Sequence, residues 1–419
     1  VSESAGILHI RSAYDFDGVD VADIPAMRDP GVTLAADRPA RFVRFVKPVS
    51  FPDDDILDID NTAFGRSRNQ LMRETLGYAR IEPDGSIKAK LPANVSFAIS
   101  VLDADGRRTT SRHNNWIQLR PGEERECTGC HTRVSQAPHG RLNAEPVSVN
   151  PGAPADGQPF PNSEPALFAD AGETMAETFA RINGVPNVTM DIIFEDVWTD
   201  PMVRAKDTSF SYAYAALSTT PPVDPGCITS WNATCRITVN YETHVHPIWG
   251  VPRITLDAMG LVLQDDTCTS CHGPKDAADA TQVPAAQLDL TDGQSPDEAD
   301  HYNSYRELLF DDNQQEVVND VLIDLLVQDT DGNGNLLFQT DGMGNLVLDV
   351  DGNPIPVLIT VNVGPSISVG GALASPDFFD RFAIGGTHAG RLTSAELKLL
   401  SEWTDVGAQY YNNPFDVPP

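Results

Sequence analysis

Two five-residue motifs constrain this chain more than any other feature: Cys127-Thr128-Gly129-Cys130-His131 and Cys268-Thr269-Ser270-Cys271-His272. Each places two thiols on one turn and an imidazole directly after the second thiol. With six cysteines and nine histidines in 419 residues, composition alone predicts about 0.002 such motifs, and the chain has two. The spacing suits one chemistry. Two thiols on a local turn form thioethers to a porphyrin, and the next residue offers an imidazole to its iron. Structural zinc is the rival reading, since two CxxC pairs could supply four ligands. It gives no reason for a histidine after each pair. The motifs therefore read as c-type attachment sites for two covalent haems, one on Cys127, Cys130 and His131, the other on Cys268, Cys271 and His272.

The remaining cysteines, Cys227 and Cys235, lie in a loop that opens with Pro225-Gly226 and has no histidine close by. A disulfide is expected there, worth about 2–3 kcal/mol by loop entropy. Such a bond, like covalent haem attachment, belongs to an oxidising compartment. The sequence begins at Val1, as a mature chain does after signal-peptide removal. An extracytoplasmic location is expected: periplasm, outer surface or secreted.

Charge narrows the partners. The formal net charge is −31, a field that repels phosphate backbones and makes nucleic acid a poor partner. It suits solubility or docking to a basic redox partner protein. No stretch approaches the ~20 apolar residues of a membrane span. Neither a nucleophile elbow, a Walker A loop, an HExxH helix nor a dinucleotide fingerprint occurs.

The 31 glycines and 32 prolines point to turns and short strands. The fold class expected is mixed, mainly β with a few short helices. In residues 1–136, Val95, Phe97, Ile99 and Val101 alternate with small residues, as do Ile87, Ala89 and Leu91. This pattern predicts half-buried strands of a β-sandwich-like domain, with the first motif at its end after a strand at 116–119. Residues 137–225 read as an irregular linker (137–168) and a small α+β segment. There a helix is expected with Asp170 and Glu173 as its capping box and Met175, Phe179 and Ile182 as its apolar face. Strand-like stretches follow at 188–194 and 209–217. Residues 226–419 read as a cytochrome c-like module. One helix is expected after Ser295-Pro296-Asp297-Glu298, and a last one opened by Thr393 and Glu396 and stopped at Gly407. Asp-Gly turns at 331, 341 and 351 predict an inserted β-meander. Asp329, Asp331, Asn333 and Asn335 resemble the start of a calcium loop. Its twelfth position is Thr340 rather than Glu, so hairpin turns are the better reading and calcium the lesser one.

Seven histidines remain to complete the irons. For haem 1 the candidates are His139, eight residues past His131, and His113, ahead of the strand that leads into the motif. A methionine, an open position or a neighbouring subunit are the alternatives. For haem 2 the candidates are His388, set among glycines that let backbone approach a flat ligand, with His244, His246 and His301. His244 and His246 read as alternating along a strand, so only one of them could face a given iron.

A resemblance emerges from the flanks of the motifs. Gly77-Tyr-Ala-Arg-Ile-Glu-Pro-Asp-Gly-Ser-Ile, Leu91-Pro-Ala-Asn, Leu102-Asp-Ala-Asp-Gly-Arg and Arg120-Pro-Gly-Glu ahead of Cys127 resemble the haem-bearing region of the hydrazine synthase alpha-subunit family. Tyr241-Glu-Thr-His-Val-His-Pro-Ile-Trp, His388-Ala-Gly-Arg-Leu-Thr and Ala408-Gln-Tyr-Tyr-Asn-Asn-Pro are similar to the cytochrome modules of its proteobacterial relatives. The chain departs from that family in having no blade-like repeats. It also has Thr132 to Gln136 where the family places an iron-ligating tyrosine; the next tyrosine here is Tyr212. The resemblance implies an exported dihaem protein.

Two functions compete on these grounds. In the first, the chain is an electron carrier with both irons six-coordinate, alone or in a homo-oligomer or filament whose haems form a wire. In the second, it is a redox enzyme whose haem 1 keeps an open position for a small nitrogen or oxygen species.

Overall fold

The computed structural model describes residues 4–113, 115–132 and 147–418. The chain forms two compact units, one from Val1–Val245 with Val369–Pro419 and one from His246–Ser368. Residues 369–419, adjacent in sequence to the second motif's module, thus pack with the first unit.

The first unit is built on seven strands: β1 (Ala5–Ile10), β2 (Phe42–Pro48), β3 (Arg73–Arg80), β4 (Ile87–Pro92), β5 (Ser96–Leu102), β6 (Ile117–Gln118) and β7 (Glu124–Cys127). They make two sheets, a four-stranded one ordered β3-β2-β5-β6 and a three-stranded one ordered β4-β1-β7. One apolar core serves both: Leu8, Ile10, Val43, Phe45, Leu76, Ala89, Leu91, Phe97 and Val101. The alternation read at 87–91 is the inward face of β4. In β5 the residues between the core positions are buried too, because the sheet is covered on its second side.

That cover is the last helix. Thr393 and Glu396 form the expected capping box, and the helix ends at Gly407. Sequence gave it one apolar face of Leu397, Leu400 and Trp403. It is buried nearly all round, charged residues included: Lys398, Glu402 and Asp405 are each at most 3 % exposed. Two of their partners stand on the sheet, where Arg44 and Tyr78 are paired across β2 and β3. Arg44 bonds Asp405 at 2.6 Å, Tyr78 bonds Glu402 at 2.6 Å, and the Lys398 Nζ lies 3.3 Å from the centre of the Tyr214 ring. At Gly77, with φ +137°, a Cβ would come within 2.8 Å of the Thr189 carbonyl. The chain at 189 bridges to Tyr78 there, so glycine is required.

Between the sheets and the last helix, residues 150–200 do more than link. Ala153, Phe160, Leu167, Ala169, Met175 and Trp198 make a second small core. Helix α1 (Met175–Asn183) belongs to it, but its cap is four residues later than the sequence suggested. Thr174 and Glu177 form the capping box, while Glu173 is drawn into an ion pair with Arg181. As a result Ile182 faces solvent. Strands β8 (Ile192–Phe194) and β9 (Phe210–Tyr212) then pair antiparallel, as the two strand-like stretches predict. The disulfide Cys227–Cys235 is formed, with its Cα atoms 5.6 Å apart.

The second unit is a set of hairpins around short helices. The expected helix at 296 begins instead at 303, as α3 (Asn303–Leu309). The Ser295 hydroxyl accepts from Asp297 N–H, and Ser295 N–H donates to the His301 carbonyl. These bonds close 295–301 into a loop. The meander is present: Thr330 bridges Leu336, Thr340 bridges Leu346, and Leu348 bridges Pro354. Asp331, Asp341 and Asp349 each turn their carboxylate into their own loop, accepting backbone and side-chain N–H groups from Asn335, Asn345 and Asn353. These are the side-chain-to-backbone bonds of tight Asp-initiated hairpin turns. Among the described residues, no helix is long and apolar enough to cross a membrane.

Candidate functional site

The first motif leaves the sheet at the end of β7. That strand runs parallel to β1, with His9 opposite Glu126 and Ile10 opposite Cys127. The pairing continues through the motif. Arg11 N–H donates to the Cys127 carbonyl, Cys130 N–H to the Asp15 carbonyl, and Asp17 N–H to the Cys130 carbonyl. Thr132 N–H donates to the Asp17 carboxylate. Between the two cysteines a side chain has no room: a Cβ on Gly129 would lie 2.4 Å from the Asp15 carbonyl oxygen. The CTGC turn is thus laced along residues 10–17 and closed from the far side by Ser148, whose hydroxyl donates to the Asp15 carboxylate at 2.9 Å.

Both sulfurs pack against the core of the β-domain. Burial, with Asp15 and Cys127 beside it, pushes the Cys130 thiol up to about 11. The ion-free thiol is thereby held in its protonated form. A thioether, which carries no charge, is not penalised there.

His131 bonds the carbonyl of Thr132 through Nδ1, at 3.0 Å. A carbonyl only accepts, so Nδ1 carries a proton, and in the neutral imidazole Nε2 carries the lone pair. This is the tautomer a metal-ligating histidine takes when its other nitrogen is held by backbone. Facing it stands His113, with ring centroids 6.2 Å apart and planes at 88°. Burial, and secondarily the neighbouring His131, lower the His113 imidazole below its usual range and keep it neutral. The segment that leads into it is anchored on Asp405 at two points. Arg108 N–H donates to the Asp405 carboxylate, and Arg112 Nη2 to the Asp405 carbonyl at 3.0 Å. His139 lies outside the described residues.

The second motif occupies a single turn, α2 (Cys268–Cys271). His272 closes it, donating its N–H to the Cys268 carbonyl at 2.9 Å and accepting from Leu290 N–H at 2.8 Å. Arg253 approaches the Cys268 sulfur at 3.7 Å, and Gln282 bonds the carbonyls of Gly273 and Lys275 that follow the motif. His246 and His301 belong to the same unit as His272. His246 bonds Ser304 at 2.9 Å and Asp292 at 2.7 Å, and His301 packs on Tyr305.

His244 and His388 belong to the first unit. His244 and His246 do not alternate along a strand: the chain turns helically through Tyr241–Val245 and His246–Ile248. The cause is local, since Asn240 N–H donates to His244 Nδ1 at 2.9 Å and winds the segment up. That bond puts the proton of neutral His244 on Nε2. Burial lowers this imidazole to about 4. His388 lies in an exposed turn against Phe382, with its Nδ1 2.9 Å from the Thr387 hydroxyl.

Residues 53–132 match the family described as the hydrazine synthase alpha subunit middle domain. The matched span ends one residue past the first motif, and this stretch of the chain is related to that domain. No curated protein matches the chain. Among solved structures, Kuenenia stuttgartiensis hydrazine synthase aligns with a TM-score of 0.44 at 14 % identity, over 98 % of this chain and 44 % of that one. The chain spans less than half the length of that relative.

Proposed function

We propose that the chain is an extracytoplasmic c-type cytochrome that carries electrons on two covalently held haems. The observation that carries this reading is the pairing of His131 with His113. Two imidazoles ligated from opposite sides at about 2.0 Å, an ordinary metal–imidazole distance, have ring centroids about 6 Å apart. The spacing of His131 and His113 is 6.2 Å.

In this reading Cys127 and Cys130 hold the porphyrin at the end of the β-domain. His131 and His113 would be the two histidines that hold its iron. Cys268, Cys271 and His272 would hold the second group in the hairpin unit, with its distal ligand drawn from His246 or His301 of the same unit. The haem irons supply a reversible one-electron change. The chain supplies half-buried imidazole donors whose positions are fixed by backbone, which keeps ligand rearrangement on electron transfer small. The net charge of −31 favours a basic redox partner protein through electrostatic steering. A chain of such subunits, passing electrons between neighbouring haems, is compatible with the same chemistry.

A second reading is favoured by one observation. The match to the hydrazine synthase alpha subunit middle domain covers the first motif, so haem 1 is the position at which a redox enzyme would work. It requires an iron that His113 does not close.

Absorption spectra of the oxidised and dithionite-reduced protein, with and without carbon monoxide, separate the two. The carrier reading expects two haems per chain and no carbon monoxide shift. In His113→Ala, half of the haem becomes high-spin and binds carbon monoxide. If about half of the haem in the parent already binds carbon monoxide, the carrier reading falls and the enzyme reading replaces it.

A further inference from the structure

A cation site emerges where β1, β7 and the first turn of α1 meet. His9 is 1 % exposed in the middle of β1. The parallel register sets Glu126 beside it, and α1 presents Glu177 from its third position. His9 Nδ1 is 3.6 Å from Glu126 Oε2 and 3.7 Å from Glu177 Oε1. Among the described residues, this nitrogen has no hydrogen-bond partner. A ligand atom from each of the three residues lies within 4.8 Å of the others.

Hydrogen bonding around the site fixes what Nδ1 offers. The Thr174 hydroxyl donates to Glu177 Oε2 at 3.1 Å and accepts from Glu177 N–H at 3.3 Å. With its hydrogen spent, its oxygen accepts from His9 Nε2–H at 3.2 Å. A neutral His9 then aims the Nδ1 lone pair at two carboxylates, an arrangement of three acceptors that is stable only around a positive centre. The distances exclude ordinary N–H···O bonds, which run about 2.7–3.2 Å. They match two donors held at about 2.0–2.1 Å from one ion at a tetrahedral or wider angle. Arg11 approaches the other oxygens, Glu126 Oε1 and Glu177 Oε2, at 3.8 Å each. Its Nε and Nη2 donate to the Asn150 carbonyl, and Nη2 also to the Gly172 carbonyl, so it orients the carboxylates without filling the space between them.

We propose that His9, Glu126 and Glu177 bind one divalent ion of the zinc class, with its fourth position open to water past the two partly exposed glutamates. One imidazole and two carboxylates form a donor set of this kind. The site lies one residue from Cys127 and uses none of the motif residues, so it stands whether or not the motifs carry haem.

The test uses the purified full chain, freed of metal with a chelator and titrated with zinc sulfate. Zinc per chain is counted by plasma mass spectrometry after gel filtration. Glu177→Gln is the first variant, since glutamine at the third helical position keeps the reach back to the Thr174 N–H. Glu126→Gln is the second and leaves the helix cap untouched. The parent is expected to retain one zinc more per chain than either variant, and each variant to bind it at least tenfold more weakly. Because the motif cysteines are the same in all three proteins, the difference belongs to this site alone. Equal zinc content in parent and variants overturns the proposal and leaves a protonated His9 between the carboxylates as the explanation.

Discussion

Replacing Asp405 by asparagine removes one negative charge from the interior of the first unit at almost constant volume. The Asp405 side chain is fully buried and accepts from Arg44 Nη2 at 2.6 Å, from Arg108 N–H at 2.9 Å and from Ala372 N–H at 2.9 Å. Arg44 is itself buried. Burial is the strongest influence on its guanidinium and opposes the charge; Asp405 is the next and restores it. Breaking a buried ion pair by removing one partner costs about 3–5 kcal/mol. Asparagine keeps one acceptor, and Glu402 stays near Arg44, so the lower end applies, about 3 kcal/mol. A domain stable by about 5–15 kcal/mol loses about a fifth to three fifths of its margin. Urea unfolding followed by circular dichroism measures the loss in Asp405→Asn, Arg44→Met and the double variant. If the pair is the cause, the double variant recovers at least half of the summed losses, because neither charge is then left alone. A loss under about 1 kcal/mol in Asp405→Asn, or strictly additive losses in the cycle, would refute the reasoning. Since Asp405 also holds the 108–112 segment, Asp405→Asn should loosen His113 as well.

Two further outcomes are expected. Removing the disulfide as Cys227→Ala/Cys235→Ala lowers stability by about 2–3 kcal/mol, the closure entropy of so short a loop, read as a lower urea midpoint at unchanged slope. His244 should impose an acid-side loss: its imidazole is lowered to about 4 by burial, so between pH 6.5 and 4 the unfolded chain binds a proton that the folded chain refuses. Stability therefore falls as pH drops through that window, by about 3 kcal/mol for this group. The parent should lose more between pH 7 and pH 4 than His244→Gln does, and identical pH profiles would count against the assignment.

Local signals in the sequence were legible where the chain makes its own partner. The Thr393–Glu396 box, the Asp-Gly hairpins and the Cys227–Cys235 loop all close within a few residues. At α1 two overlapping boxes compete, Asp170 with Glu173 and Thr174 with Glu177. Glu173 still accepts from Asp170 N–H, but only Thr174 and Glu177 form the reciprocal pair at the helix that starts at Met175. The alternation of His244 and His246 looked like a strand because period alone cannot register the Asn240 bond that coils it. The last helix was read as one-sided because a sequence does not reveal a second layer. Lys398, Glu402 and Asp405 look solvated until Arg44 and Tyr78 arrive from strands more than 300 residues away. The His9 cluster is hidden for the same reason, since it exists only in the parallel register of β1 with β7. His113 was among the candidates for the first motif, but nothing local in the sequence sets its distance to His131.

The two motifs are alike in sequence and differ in what holds them. The first follows the edge strand of a two-sheet domain, its carbonyls and N–H groups are bonded to residues 11–17, and its central glycine is packed against Asp15. Displacing it would break long-range pairing that also builds the core. The second rests on a four-residue turn whose neighbours are two-stranded hairpins, with Ile254, Leu256, Val262 and Leu263 exposed on one of them. Its support is short-range, so it can adjust at the cost of a few local hydrogen bonds. If both hold the same group, the difference in potential and rate between them comes from this contrast: a ligand set imposed by tertiary structure at the first, and one that local backbone can retune at the second.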